Sequence, residues 1–262
     1  MRAREYIKHL LSIENYSFSL EEISNQSDST DTSLKFELAR LVEKKEITNL
    51  RKGFYLIIPP RYSKQGYIPI QLYIHKLFQS LNRNYYLGFY SAARFHGASH
   101  QQIHRDYVMI EKPKLNEIKK NGFDIKFITA SQWPAKNILE KKSDAGYFNI
   151  SSPALTAADL IHHQTKLGGL NRMLAILEEL AEEITNKDLN DLLTWYPHRS
   201  TIQRLAFILD EQQTGIDLSA ISNYLKTAPY FPVLLSPKKN QKAGSVDNRW
   251  KVDVNIKLES DL

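Results

Sequence analysis

The first 58 residues constrain this chain most, because they hold three short helical patterns and a tight hairpin in a length that few small folds can use. Residues 3 to 13 carry Ala3, Tyr6, Ile7, Leu10 and Leu11 at spacings of three and four, with Arg2, Arg4 and Lys8 on the other side, which predicts an amphipathic first helix. Ser19 and Glu22 form a capping box, in which each side chain satisfies a free backbone donor at the other's position. A short second helix is therefore expected from Leu20, ending between Ser24 and Ser27. The polar run NQSDST supplies a turn and a new cap. Leu34, Leu38, Leu41 and Val42 then mark the buried stripe of a third helix, whose exposed face carries Ser29, Thr32, Ser33, Lys35 and Arg40.

Behind that helix, Glu46 to Leu50 and Phe54 to Ile58 are rich in β-branched and aromatic residues and flank a turn containing Gly53, the pattern of a tight hairpin. Together these elements read as a winged helix-turn-helix. In that arrangement the second helix of the motif enters the major groove N-terminus first, where hydroxyls and lysines meet phosphates and base edges. Arg51 and Lys52 at the hairpin tip would reach the backbone beside the groove, a salt-dependent contact that positions without reading sequence. The competing reading is a small helical module that docks a partner protein through the same surface.

A chain of 262 residues suggests about two domains, and a 42% hydrophobic content is enough for real cores. The absence of cysteine excludes a disulfide framework or a zinc-thiolate site, and no apolar run approaches the roughly 18 residues that a membrane span needs. A cytoplasmic protein is expected. The net charge of +6 is unevenly placed: residues 1 to 60 carry 9 basic and 9 acidic side chains, 66 to 146 carry 12 and 6, and 147 to 262 carry 12 and 14. Any field from the winged helix must therefore come from local segregation of charge. The surplus in the middle, with Lys112, Lys114, Lys119, Lys120 and Lys126 around predicted strands and Lys136, Lys141 and Lys142 beyond, is either a solvated rim or a second basic face that extends a DNA footprint.

PPRYSKQGYIP (59 to 69) is the expected linker, with a second domain over 70 to 262. Gln71 to Leu81 and Ser91 to His96 read as helices, and Tyr107 to Ile110, Phe123 to Ile128 and Gly146 to Ile150 as strands. The lysine-rich stretch between the first two strands reads as a solvated loop or helix. From Ser152 the chain becomes helical, opening on a hydroxyl before proline at the first helical position. Phe231 to Leu235 and Trp250 to Ile256 read as two closing strands around a basic connector. The fold class is thus mixed α/β: a winged helix, then a larger α/β domain with a helix-rich C-terminal part.

The winged helix, followed by YYLGFYSAARFHGASHQ (85 to 101), SSPALTAADLIHHQTKLGGLNRMLAILEEL (151 to 180) and NRWKVDVNIKLESDL (248 to 262), resembles the AbiEi antitoxins of type IV toxin-antitoxin and abortive-infection systems, which act in phage defence. The resemblance spans nearly the whole chain. It implies an autorepressor that binds double-stranded operator DNA at inverted repeats and an antitoxin that counteracts a nucleotidyltransferase-like toxin. It carries STDTSLK and the wing Arg51-Lys52-Gly53 over as the DNA surface, and it places no antitoxic residue.

Several groupings invite a catalytic reading. His96, His100 and His104 would line one helix face for a metal, but Gly97 and Ser99 argue against that helix, and the adjacent His162 and His163 point to different faces. Gly244, Ser245 and Asp253 faintly echo a nucleotidyltransferase pattern whose expected second acid is Asn255, which removes the metal clamp. Ser91, Asp159 and a histidine have no nucleophile-elbow context. No catalytic residue, metal or cofactor is assigned, and the chain is read as a non-enzyme.

Overall fold

In the computed structural model, which describes residues 1–98 and 105–259, the start of the chain folds as α1 (Ala3–Ser12), β1 (Ser17–Ser19), α2 (Leu20–Gln26), α3 (Asp31–Glu43), β2 (Ile47–Arg51) and β3 (Phe54–Ile57). β1 and β2 both pair antiparallel with β3 in a three-stranded sheet. The local signals act as their chemistry requires. Glu22 N donates to Ser19 Oγ at 3.0 Å and Ser19 N to Glu22 Oε2 at 2.6 Å, closing both halves of the capping box. Thr30 caps α3, its Oγ1 accepting from Ser33 N at 3.3 Å. One apolar core joins α1 (Ala3, Tyr6, Ile7, Leu10) to Ile23, Leu34, Leu38, Leu41, Ile47 and Ile57. Its centre is the fully buried Phe18, edge-on to Tyr6 at 5.8 Å and stacked on Tyr55 at 5.4 Å. Each such side chain contributes about 1.5–3 kcal/mol of burial.

The chain divides into two compact units, the first comprising Met1–Tyr86, His104–Ala130 and Glu140–Asn149, the second Leu87–Ile103, Ser131–Leu139 and Ile150–Leu262. The stretch 59–69 belongs to the first unit and is anchored to it at both ends. Pro59 and Ile68 are buried, Tyr67 meets Phe123 edge-on at 6.1 Å, and Arg61 Nη2 donates to the Tyr16 hydroxyl at 3.1 Å. α4 (Ile74–Ser80) follows. A six-stranded sheet has most of its residues in this unit, with the strands β4 (Tyr85–Leu87), β5 (Asp106–Ile110), β6 (Ile118–Lys120), β7 (Phe123–Thr129), β8 (Ile138–Ser143) and β9 (Gly146–Ser151) arranged β6-β7-β5-β4-β9-β8. β5 and β7 run parallel, and β6 pairs antiparallel on the outside of β7.

The lysine-rich stretch thus differs from its expectation of loop or helix: part of it is the edge strand β6. Asn121 and Gly122 both take positive φ (49° and 83°), which a two-residue hairpin turn of the mirror-image type needs. Lysine favours neither helix nor strand strongly enough to override such a turn, and it is well tolerated on a solvent-facing edge.

The second unit is helical: α5 (Phe89–Phe95), α6 (Pro153–His162), α7 (Leu174–Glu183), α8 (Asn186–Leu193), α9 (Arg199–Glu211) and α10 (Ser219–Lys226). α6 is buried from Pro153 to Ile161 and packs against α5, α7, α8 and α9. Its start is held by Ser152 Oγ, which accepts from Leu155 N at 3.3 Å, and by Asp188 Oδ2, which accepts from Ala154 N at 2.8 Å and sets a carboxylate at the positive end of the helix. The two closing strands are found as a short parallel pair, β10 (Val233–Leu234) and β11 (Val252–Asp253). Buried side chains of α9 hold them: Gln203 Nε2 donates to the carbonyls of Phe231 and Trp250, both at 3.0 Å, and Arg204 Nε donates to that of Leu234 at 2.7 Å.

Candidate nucleic-acid interface

With Leu34, Leu38 and Leu41 turned into the core, α3 presents Thr32, Ser33, Lys35 and Arg40 to solvent; Ser29, just before the cap, is half-buried. Among the described residues none forms a hydrogen bond or ion pair with the side chains of Thr32, Lys35 or Arg40.

Several acids of this neutral segment are drawn away from that face. Glu37 Oε2 accepts from Ala3 N at 3.1 Å, Glu46 Oε1 pairs with Arg4 Nη2 at 2.7 Å, and Glu5 Oε2 accepts from Arg2 N at 3.0 Å, all at the start of α1. Asp31 faces α2, where Ser24 Oγ donates to it at 3.2 Å, and Asp28 is paired with the N-terminal ammonium, which lowers its pKa through that hydrogen bond and charge. Glu43 alone among the α3 acids stays on the outward side, at the C-terminal end of the helix. Segregation thus supplies what net charge does not.

The wing is less free than its sequence suggests. Gly53 (φ +75°) closes the turn, and its carbonyl accepts from Leu20 N at 2.7 Å, pinning the tip to the start of α2. A bulge after Asn49 turns Leu50 into the core. Arg51 and Lys52 line a cavity of about 540 Å³ with Glu21, Ser24 and, from α4, Leu77 and Ser80, with Leu81 just after that helix. Arg51 is half-buried, its Nη1 enclosed with no hydrogen-bond partner, whereas Lys52 is exposed. Sequence reasoning treated the two as equivalent because both flank the turn; it had no view of α4, which comes 20 residues later in the chain.

Of the additional lysines, Lys112, Lys114, Lys119 and Lys120 are exposed and Lys126 is half-buried on β7. The β6–β7 turn is tied to β2 by Asn121 Nδ2, which donates to Thr48 Oγ1 at 3.1 Å. Thr48 lies three residues from Arg51, about 10 Å along the strand. Lys136 is engaged elsewhere, by Asp191 at 2.6 Å. The residue that sequence reasoning missed is Phe36, 65% exposed on α3; its signal was an aromatic lying off the Leu34–Leu38–Leu41 stripe.

The residues weighed for catalysis have structural partners. His162 and His198 stack at 3.9 Å; His162 Nδ1 lies 3.1 Å from Thr201 Oγ1, and His198 Nε2 lies 3.1 Å from Ser131 Oγ. Burial, and then the neighbouring His198, Arg204 and Lys166, push the His162 pKa down to about 4. Asp159 accepts from the Tyr196 hydroxyl at 3.2 Å, and His96 Nε2 lies 2.7 Å from the Ser151 carbonyl; His100 and His104 lie outside the described residues. Asp253 accepts from Gly244 N at 2.8 Å, and the Asn255 side chain bonds both the amide and the carbonyl of Ser236 at 2.9 Å. No group of three or more His, Asp or Glu among the described residues is arranged to hold a metal ion.

Residues 86–211, which run from β4 to the end of α9, match the family model of the AbiEi antitoxin C-terminal domain. This part of the chain is an AbiEi antitoxin C-terminal domain. Its role is accordingly that of the antitoxin of a toxin-antitoxin system. The crystal structure of the RV2827C protein from Mycobacterium tuberculosis is similar over 95% of this chain and 90% of that one, with a TM-score of 0.66 at 15% identity, a likeness of fold. No curated protein matches the chain. No helix among the described residues is long and apolar enough to cross a membrane.

Proposed function

We propose that this AbiEi antitoxin is also an autorepressor: α3 and Lys52 hold double-stranded operator DNA, and the segment 70–262 counteracts a nucleotidyltransferase-like toxin. The observation that carries the DNA part is the outward face of α3, with Thr32, Ser33, Lys35 and Arg40 displayed while Glu5, Glu37 and Glu46 are held at the start of α1. Ser33 and Lys35 would contribute to sequence preference, whereas Lys52 and the basic turn of Lys119 and Lys120 would contact phosphates. Because 59–69 lies inside the first unit and residues up to Asn149 also belong to that unit, the two activities are better separated by substitution than by cutting the chain.

The test has two arms. The full chain should shift a duplex from immediately upstream of its own gene more strongly than a scrambled duplex, with an affinity that falls as salt rises. Ser33→Ala with Lys35→Ala should lose that preference and derepress a reporter while still rescuing growth against the co-expressed toxin. The alternative, in which the winged helix docks a protein, predicts no salt-dependent shift of any duplex.

A further inference from the structure

Phe36 lies one helical turn after Thr32 and one before Arg40, about 200° around α3 from both Leu34 and Leu38, so it stands opposite the buried stripe. A lone exposed aromatic needs no explanation by itself. This one does, because it occupies the centre of a face whose neighbours are the hydroxyls of Thr32 and Ser33 and the cations Lys35 and Arg40, a setting that suits a polyanion better than an apolar protein surface. It has no hydrogen-bonding group, so on base edges in a DNA groove its favourable contact is with an apolar group. The one apolar group on base edges in the major groove of unmodified DNA is the C5-methyl of thymine.

We infer that Phe36 is a specificity-determining residue that packs on the C5-methyl group of a thymine in the major groove. This rests on the proposed DNA-binding reading. Thr32 and Arg40, each about 6 Å away along the helix axis, would flank that contact and fix its register. The inference explains why an aromatic ring is kept in water at the middle of a polar face, and it predicts a site that requires thymine at a fixed position.

The experiment selects duplexes from a random pool with the full wild-type chain, then replaces each thymine of the enriched site in turn by deoxyuridine, which removes only the methyl group. One replacement should weaken wild-type binding about four-fold, the equivalent of one buried CH₂ group, and should leave the affinity of Phe36→Ala unchanged. Phe36→Leu should keep part of the discrimination. Because the side chain is exposed, both variants should retain the wild-type circular dichroism and melting curve.

If deoxyuridine is tolerated everywhere, or costs Phe36→Ala as much as wild type, the inference is overturned while DNA binding stands. If no duplex is enriched or bound at low salt, the DNA reading falls and takes the inference with it. If Phe36→Ala weakens all duplexes alike and sedimentation shows that a wild-type dimer has been lost, Phe36 is an interface between copies of the chain and the inference is likewise overturned.

Discussion

Lys52→Ala should flatten the salt dependence of DNA binding, and Arg51→Ala should leave it unchanged. The two residues are neighbours at the wing tip, but Lys52 is exposed whereas Arg51 is half-buried with Nη1 enclosed. The backbone of the tip is held by the bond from Leu20 N to Gly53 O, which fixes where both side chains begin. Loss of one phosphate contact lowers the slope of log K against log salt by about 0.9. Between 50 and 200 mM salt this amounts to about 3.5-fold: the deficit of Lys52→Ala relative to wild type should be about 3.5 times larger at the low end than at the high end. Fluorescence anisotropy of one labelled duplex across that range reads the slope directly. A wild-type slope in Lys52→Ala, or a flattened one in Arg51→Ala, would refute the assignment of the wing contact.

Reversing Lys119, Lys120 and Lys126 to Glu should weaken binding of the full chain to DNA most at low salt, where screening is least; wild-type affinity at every salt concentration would remove the β6–β7 turn from the footprint. Gly122→Ala should destabilise the chain by about 1–2 kcal/mol in urea melts, because the position has φ +83° and a Cβ there would come within 2.7 Å of Tyr67 Cδ1; an unchanged midpoint would show that the turn relaxes freely. For His162 the folded pKa of about 4 lies below the ordinary 6.5, so the unfolded chain takes up a proton that the folded chain refuses as pH falls between those values. The stability is therefore complete above pH 6.5 and declines on acidification, by on the order of 1–2 kcal/mol once the half-exposure of the ring is allowed for. His162→Gln should show a shallower fall in Tm between pH 6.5 and 4, and parallel curves would contradict this.

What the sequence disclosed was local. The stripe of α1, the Ser19–Glu22 box, the Leu34–Leu38–Leu41 face and the Ser152-Pro153 start each depend on residues within one or two turns, and each is formed as expected. β1 is only three residues long and exists because β3 offers it an edge, a pairing that no periodicity in SFS announces. The Asn121-Gly122 turn was legible in principle, yet the run of lysines around it masked the strand. The exposed residues of α3 followed from helix phase alone, whereas the half-burial of Arg51 beside a cavity shared with α4 is tertiary. Phe36 was hidden by habit, since an aromatic in a helix is ordinarily assigned to the core.

The interleaving of the two units sets an order of manufacture. The first is complete in sequence at Asn149, whereas the second lacks β11 until Val252 has been added. At roughly 5–20 residues per second a ribosome takes about 5–20 s to cover that interval. During it the nascent chain carries a finished first unit and an α9 whose Gln203 and Arg204 still lack the carbonyls of Phe231, Leu234 and Trp250. A message truncated shortly before codon 231 would freeze that state, leaving donors built for burial open to water and to the proteases that survey unfinished chains.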